Sequence, residues 1–262
     1  MHTRPAPACA NAESSHETPI RTFRVEPALA LLRVLALGSV MHAACAQAQF
    51  TATVSAVSDY RFRGVSLSQQ KPAGQVSIGY DDPSGWYAGV FGSTVELAGR
   101  SATTGQVVPY LGVVKSLGGG FHWDTGADYS AFSDNRGYDY GELYTGIASR
   151  SFNVRAHYSP DYFGFARRSF YGEMNASHRL ADGLVLLGHA GVLVPANRGD
   201  DQYTQYPPGG RDPVDVRAGL GFEIAGFKMQ LAWVWTNGIG SLYPVSGTQR
   251  RSTVVASVSW SP

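Results

Sequence analysis

The sequence contains few charged residues and only two cysteines. Charged residues make up 16% of the 262 residues, against about a quarter in ordinary soluble domains. Both cysteines, Cys9 and Cys45, lie before the point at which we expect the chain to be cleaved, so the mature chain has no thiol for a disulfide or a metal. The formal net charge of +1 gives no electrostatic reason to expect a nucleic-acid partner.

The sequence also lacks an apolar run of the roughly 20 residues that a membrane-spanning helix needs. A shorter apolar stretch, residues 34–46, follows three arginines and ends at an A-x-A-like sequence, residues 46–48. This pattern predicts a signal peptide within residues 1–48 and Sec-type export of a mature chain that begins near Gln49. A membrane anchor and a lipoprotein attached through Cys45 are the alternatives, and both fit the apolar stretch less well.

From residue 49 onward, apolar residues recur with period two, which indicates β-strands. In residues 214–224, for example, Val, Val, Ala, Leu, Phe and Ile alternate with Asp, Arg, Gly, Gly and Glu. No segment has the pattern of an amphipathic helix. The alternation predicts about twelve strands, near residues 50–60, 73–82, 86–96, 106–117, 120–131, 139–149, 151–160, 168–180, 183–194, 213–224, 226–236 and 250–260.

The predicted connections alternate between short and long. Short turns lie at residues 82–85, 118–120, 149–151, 181–183 and 225–226, and longer connections at 61–72, 97–105, 132–138, 160–168, 195–212 and 237–249. Such alternation is typical of an all-β, antiparallel up-and-down transmembrane barrel, with both termini and the tight turns at the periplasmic end. Residues 49–262 are therefore expected to form one outer-membrane β-barrel.

A soluble β-sandwich or lipocalin-like barrel shows the same alternation. A solvent-facing β-surface usually protects its edges with lysine, yet the mature chain has only Lys71, Lys115 and Lys228. Aromatic residues near the strand ends suggest the interfacial girdles of a membrane barrel: Tyr60, Trp86, Tyr87, Tyr110, Tyr158, Tyr162, Tyr171, Trp235 and Trp260. These features favour apolar side chains facing lipid and polar ones facing a lumen.

Three segments resemble the TorF-like family of porins. They are SDYRFRGVS at residues 58–66, YDYGELY at 138–144 and YSPDYFG at 158–164. The similarity extends over most of residues 50–260. It implies an outer-membrane barrel with pore activity and implies no particular solute.

A small charged cluster follows the first predicted strand. Arg61 and Arg63 share a strand face with Asp59, and we expect the three at the extracellular mouth. The favoured interpretation is an Arg–Asp network that only orders the loop. The alternative is a basic cluster that attracts anions.

Charged residues of both signs also lie on the polar faces of the later strands. The candidate pore-lining residues are Asp124, Asp128, Glu142, Arg155, His157, Glu173, Arg217 and Glu223. Such residues produce a transverse field that selects solutes by dipole and size. Alternatively, their ion pairs plug the barrel, because twelve strands enclose less space than the sixteen to eighteen of wide porins.

No pattern in the sequence predicts catalysis, a cofactor or a metal. The mature histidines are His122, His157, His178 and His189, and none has metal-ligand spacing to Asp, Glu or Cys. An outer-membrane lipase is disfavoured because His157 and Ser159 face the predicted lumen instead of lipid.

The sequence therefore predicts a non-enzymatic outer-membrane barrel that acts as a narrow passive channel for small polar solutes. A closed structural or surface-binding barrel without transport is the alternative. The expected partners are outer-membrane lipid, the outer-membrane assembly machinery and small polar solutes, with no nucleic acid.

Overall fold

The computed structural model describes residues 49–98, 103–196, 212–238, 242–246 and 248–262. The predicted signal peptide, most of the connection predicted at 195–212 and part of the connection predicted at 237–249 lie outside these residues. Two short 3-10 turns, Arg136–Tyr138 and Tyr162–Gly164, lie in connections. No helix in the described part of the chain is long and apolar enough to cross a membrane.

The described residues form fourteen strands, of which twelve make one closed barrel and two make a separate hairpin. In chain order they are β1 (Gln49–Val57), β2 (Arg61–Phe62), β3 (Val65–Ser66), β4 (Ala73–Asp81), β5 (Trp86–Val95), β6 (Thr104–Gly118), β7 (Phe121–Phe132), β8 (Tyr140–Ala148), β9 (Phe152–Ser159), β10 (Ser169–Ala181), β11 (Leu184–Pro195), β12 (Val214–Ile224), β13 (Phe227–Thr236) and β14 (Ser252–Trp260).

The barrel closes because β1 pairs with β4 on one edge and with β14 on the other. The β1–β4 register runs from Gln49 opposite Asp81 to Val57 opposite Ala73. On the other edge, Val54 lies opposite Trp260. The remaining barrel strands pair antiparallel with their neighbours along the chain. This arrangement confirms the predicted twelve-stranded up-and-down barrel, and each predicted strand overlaps an observed one.

The barrel has a turn end and a loop end. The turn end carries the tight connections at residues 82–85, 119–120, 149–151, 182–183 and 225–226, and the loop end carries the longer ones. At the turn between β12 and β13, Ala225 and Gly226 have φ values of 51° and 82°. Positive φ at both central residues is what a two-residue type I′ hairpin needs, so the backbone at this turn is suited to a tight reversal.

Large apolar side chains face outward around the barrel, and polar side chains face inward. Leu143 and Leu231 are 60% and 52% exposed, whereas Gln75 and Glu173 are 4% and 5% exposed. Because successive side chains of a strand point to opposite faces, the period-two alternation determines which side chains face the lumen. The outward apolar face is the one that the sequence analysis expected.

The lumen at the loop end is filled by apolar side chains, which the sequence analysis did not predict. After β1, the chain folds back into the barrel and forms the inner hairpin, residues 61–66. The long connection predicted at 61–72 therefore contains a short hairpin that lies inside the barrel. We call the apolar residues that meet here the loop-end core: Tyr60, Phe62, Val65, Leu67, Phe91, Val95, Phe132, Tyr140, Tyr162, Phe163, Leu193, Leu242 and Tyr243.

The aromatic residues predicted for the interfacial girdles divide between the two faces. Trp86 and Trp260 are exposed on the outside, and Tyr158 and Trp235 alternate with buried inward neighbours. Five face the lumen instead: Tyr60, Tyr87, Tyr110, Tyr162 and Tyr171. Aromatic composition near strand ends does not distinguish the faces; the position of each residue in the alternation does.

Candidate functional site

The centre of the lumen, below the loop-end core, is lined by charged and hydroxyl side chains from neighbouring strands. On β7 and β9, Asp124 and Arg155 form an ion pair. The Tyr87 hydroxyl on β5 donates to the other oxygen of Asp124 at 2.6 Å and lies 2.7 Å from the Tyr144 hydroxyl of β8. The Arg155 guanidinium also lies 4.7 Å from the ring centroid of Tyr144. Four strands are thus linked across the lumen by one polar network.

A second polar group is centred on His189 of β11. Its Nε2 lies 2.7 Å from Asp215 Oδ1 of β12, and its Nδ1 lies 2.8 Å from Asn175 Oδ1 of β10. The Tyr171 hydroxyl donates to Asp215 Oδ2 at 3.1 Å. Arg217 lies directly opposite His189 in the β11–β12 register. Of these residues, only Arg217 was predicted from the sequence to line the pore, although all of them lie at inward positions of their strands.

The inner hairpin is held by a buried ion pair between Arg63 and Glu142. Arg63 Nη1 and Nη2 donate to Glu142 Oε1 and Oε2 at 3.0 Å and 2.6 Å. The guanidinium also lies 4.1 Å from the ring centroid of Tyr171 and 5.3 Å from that of Tyr162. Bidentate Arg–carboxylate pairs are among the stronger hydrogen-bonded contacts in proteins. Removing one partner of a buried pair costs roughly 3–5 kcal/mol, so this contact is a latch on the hairpin.

The cluster predicted for the extracellular mouth is buried inside the barrel, which corrects its placement. Asp59, Arg61 and Arg63 are 6%, 8% and 3% exposed. Arg61 Nε donates to Asp59 Oδ2 at 2.7 Å, and Arg61 Nη1 donates to the Gly64 carbonyl at 2.8 Å. Ser66 Oγ donates to Asp59 Oδ1 at 2.5 Å. For Asp59 and Arg61, the loop-ordering network is the interpretation that fits. Arg63, whose φ is 48°, instead pairs with Glu142.

The three segments that resemble the TorF-like porins meet at this latch. Arg63 comes from the first, Glu142 from the second and Tyr162 from the third. Tyr140 of the second segment also packs on Tyr162, with ring centroids 5.1 Å apart. Segments far apart in sequence thus assemble one buried contact, which the spacing of the motifs along the chain does not reveal.

Three of the candidate pore-lining residues converge on one point. The ligand-type atoms of Asp128, Glu142 and His157, on β7, β8 and β9, all lie within 4.8 Å of one another. His157 Nδ1 is 3.8 Å from Glu142 Oε2, and His157 Nε2 is 3.8 Å from Glu173 Oε1 of β10. Neither ring nitrogen has a hydrogen-bond partner among the described residues. A carboxylate pair with one imidazole is a donor set that suits a divalent metal.

The remaining candidate, Glu223, lies apart from these groups. It is exposed at the end of β12, next to the turn end and opposite Lys228 of β13. The inward-facing Ser177 and Arg179 of β10 are also half-buried or exposed near that end. The lumen is therefore open to solvent at the turn end and packed at the loop end.

A cavity of about 50 Å³ lies between the inner hairpin and the barrel wall formed by β12–β14. Asp59, Arg61, His189, Asp215 and Arg217 contribute to its lining. A water molecule needs about 10–15 Å³ of such space, so the cavity holds a few waters or a small hydrated ion and is too small for a sugar.

A family model described as "Bacterial protein of unknown function (Gcw_chp)" matches residues 42–261. No curated protein matches the sequence. Among solved structures, a KdgM porin is similar with a TM-score of 0.52 and 8% identity, over 80% of this chain and 98% of the porin. A NanC porin in a rhombohedral crystal form has a TM-score of 0.53 and 11% identity, over 81% and 100%. Identities this low show the barrel fold alone and leave the TorF-like resemblance unconfirmed.

Proposed function

Because the chain belongs to the Gcw_chp family of bacterial proteins, whose function is unknown, we propose a function from the barrel itself: a narrow passive channel for small polar solutes. The observation that carries the proposal is the small cavity beside the inner hairpin, lined by charged side chains. It shares His189, Asp215 and Arg217 with the second polar group. Two structures of similar fold are described as porins, which supports the proposal.

We place the barrel in the outer membrane of a Gram-negative cell, reached by Sec-type export. The outward apolar face supports this location, since exposed side chains such as Phe50 and Leu143 suit hydrocarbon better than water. A closed barrel also satisfies every strand edge within a bilayer, where an unpaired backbone group is costly. Lipid and the outer-membrane assembly machinery are then its expected partners, and no catalytic step is assigned to it.

The loop-end core restricts what such a channel passes. The inner hairpin and the aromatic rings around Phe163 occupy the loop end, so solutes must follow the space between the hairpin and the β12–β14 wall. The proposed solutes are therefore small ions and polar molecules of a few heavy atoms. Arg63 and Asp215 are buried inside the barrel but were not among the predicted pore-lining residues, and their role in permeation belongs to this proposal.

The packing of that core favours one second candidate, a closed structural or surface-binding barrel. Val65, Leu67 and Phe163 are 1%, 0% and 0% exposed, as in the dry interior of a soluble domain. If the hairpin never leaves the lumen and the cavity has no outlet, the barrel conducts nothing.

Planar-bilayer recordings of the purified, folded protein distinguish the two candidates. The channel proposal expects a small ohmic conductance that rises with salt concentration. Replacing the lumen carboxylate in Glu173→Gln should shift the reversal potential toward anion selectivity, because it removes a negative charge from the lumen. Met174→Leu is the matched control, since Met174 is the next residue of β10 and faces outward at 49% exposure. A folded protein without conductance, or an E173Q variant with wild-type selectivity, would contradict the channel.

A further inference from the structure

Asp128 and Glu142 lie directly opposite each other in the β7–β8 register, with both side chains facing the lumen. Directly opposed like charges destabilise a sheet. Arg63 neutralises Glu142 through its bidentate contact. Asp128 has neither a hydrogen bond nor an ion pair in the described part of the chain. A further positive charge beside Asp128 would therefore stabilise this point of the lumen.

His157 lies on β9 next to this carboxylate pair, and neither of its ring nitrogens has a hydrogen-bond partner among the described residues. Its residue is 8% exposed, and both ring nitrogens are buried without a hydrogen bond in the described structure. The carboxylate oxygens of Glu142 and Glu173 are 3.8 Å from Nδ1 and Nε2, which is beyond hydrogen-bond distance. Buried polar atoms are nearly always satisfied in native structures, so the imidazole is available to a ligand that the polypeptide does not supply.

The charges of the lumen centre favour binding of a cation. The buried or half-buried carboxylates and guanidiniums there number five and three, namely Asp124, Asp128, Glu142, Glu173 and Asp215 with Arg63, Arg155 and Arg217. The carboxylates therefore outnumber the guanidiniums by two. Uncompensated charge in a desolvated site is costly, and a bound cation reduces this excess.

From this geometry we propose that Asp128, Glu142 and His157 bind a divalent transition-metal ion of the Zn²⁺ class inside the barrel. Zn²⁺ takes imidazole nitrogen and carboxylate oxygen at about 2.0–2.2 Å, which places its ligand atoms roughly 3.4 Å apart. The three ligand atoms are already within 4.8 Å of one another, so side-chain movements of about an ångström bring them to binding distance. Each carboxylate oxygen has two lone pairs, so Glu142 keeps a lone pair for the metal while it accepts from Arg63.

The nitrogen ligand decides the class of metal. Imidazole suits Zn²⁺, Ni²⁺ and Cu²⁺, whereas Mg²⁺ and Ca²⁺ prefer sites built entirely of oxygen. The site is independent of permeation, because a closed barrel presents the same three residues. No spacing along the chain reveals it, since the three ligands come from three strands and meet only through the β7–β8 and β8–β9 registers.

The test is metal binding to the purified, folded barrel after treatment with chelator. Isothermal titration with Zn²⁺ should show one site, and titration with Co²⁺ should give the visible d–d absorption of a nitrogen- and carboxylate-bound ion. Loss of an outer-sphere partner weakens metal binding roughly 10- to 100-fold. His157→Gln and Asp128→Asn each remove a direct ligand, so each should weaken binding by at least that factor. His122→Gln is the matched control, because His122 is the exposed inward residue near the start of β7 and its loss should leave affinity unchanged.

Each variant must keep the wild-type heat-modifiable migration on gels, which reports a folded barrel. Glu142→Gln is a poorer test, because it also breaks the latch to Arg63. Absence of saturable Zn²⁺ binding to the wild-type protein would overturn the proposal and assign the space beside His157 to a bridging water. Equal affinities of the wild type and the folded H157Q variant would overturn it as well.

Discussion

At Gly64 the inner hairpin lies close against the barrel wall. Its φ is +77°, and a Cβ added there would lie 2.7 Å from Thr236 Cβ and 2.8 Å from Asp215 Cβ. A left-handed backbone costs a non-glycine residue about 1–2 kcal/mol, and an overpacked contact costs about 1–3 kcal/mol more. Gly64→Ala should therefore weaken docking of the hairpin by about 2–5 kcal/mol.

This penalty makes displacement of the hairpin measurable. At about 1.4 kcal/mol for each factor of ten, the undocked population rises roughly 30-fold at the low end and several thousand-fold at the high end. The Arg63–Glu142 latch opposes displacement, so we expect more frequent opening, with the hairpin still docked most of the time. If the space beside the hairpin is the conduction path, the mean bilayer conductance of G64A should rise.

A thiol-labelling assay reports the same motion without relying on conductance. The chain from Gln49 onward has no cysteine, and Val65 is 1% exposed, so Val65→Cys is a silent reporter while the hairpin is docked. A water-soluble maleimide should label V65C faster in the G64A background. Gly74→Ala is the control, because a Cβ at Gly74 meets nothing within 4 Å and its φ is not positive. Equal labelling rates and conductances for G64A and G74A would refute this account of hairpin docking.

Two further predictions concern the outward face and a turn. Leu231→Arg places a charge at the middle of β13, where Leu231 is 52% exposed. If this face contacts hydrocarbon, the variant should lose about 2–4 kcal/mol of folding free energy in vesicles, measured by reversible guanidinium unfolding. An unchanged stability would argue against a membrane location. At the turn after β4, the side-chain hydrogen bond from Ser84 is the main cause that lowers the pKa of the exposed Asp82 carboxyl below its usual 3.8. Ser84→Ala should raise that pKa toward the usual value in an NMR titration. A lowered pKa stabilises the fold above the unfolded pKa, and this stabilisation is lost as pH falls through the folded value. The variant should therefore lose less stability than the wild type on acidification, and an unchanged Asp82 pKa would contradict the assigned cause.

The barrel was predictable from the sequence because its signal is local. Alternation along β12, from Val214 to Ile224, identifies the strand and its outward face without any knowledge of its neighbours. Turn-forming residues such as Ala225 and Gly226 then mark the reversals. Since each strand of an up-and-down barrel pairs with the next one along the chain, the order of the strands follows from the order of the sequence.

The site was predicted only in part. The inward positions of Asp124, Glu142 and Arg155 follow from the same alternation, but their partners depend on register, which no local pattern specifies. The same limit explains why His189 and Asp215 were missed as a pair, since they are 26 residues apart and meet across β11 and β12.

The inner hairpin shows what only the tertiary structure decides. Residues 58–66 have the composition of an ordinary polar loop, and no feature of this segment alone predicts that Arg63 passes into the lumen. That outcome depends on Glu142 and on the rings of Tyr162 and Tyr171, which three other parts of the chain bring to one place. The sequence by itself determined the closed barrel and its outward apolar face, because both arise from periodicity. The filled loop end and the cluster at His157 were decided by the closure of the barrel, because only closure brings side chains from distant strands within contact distance.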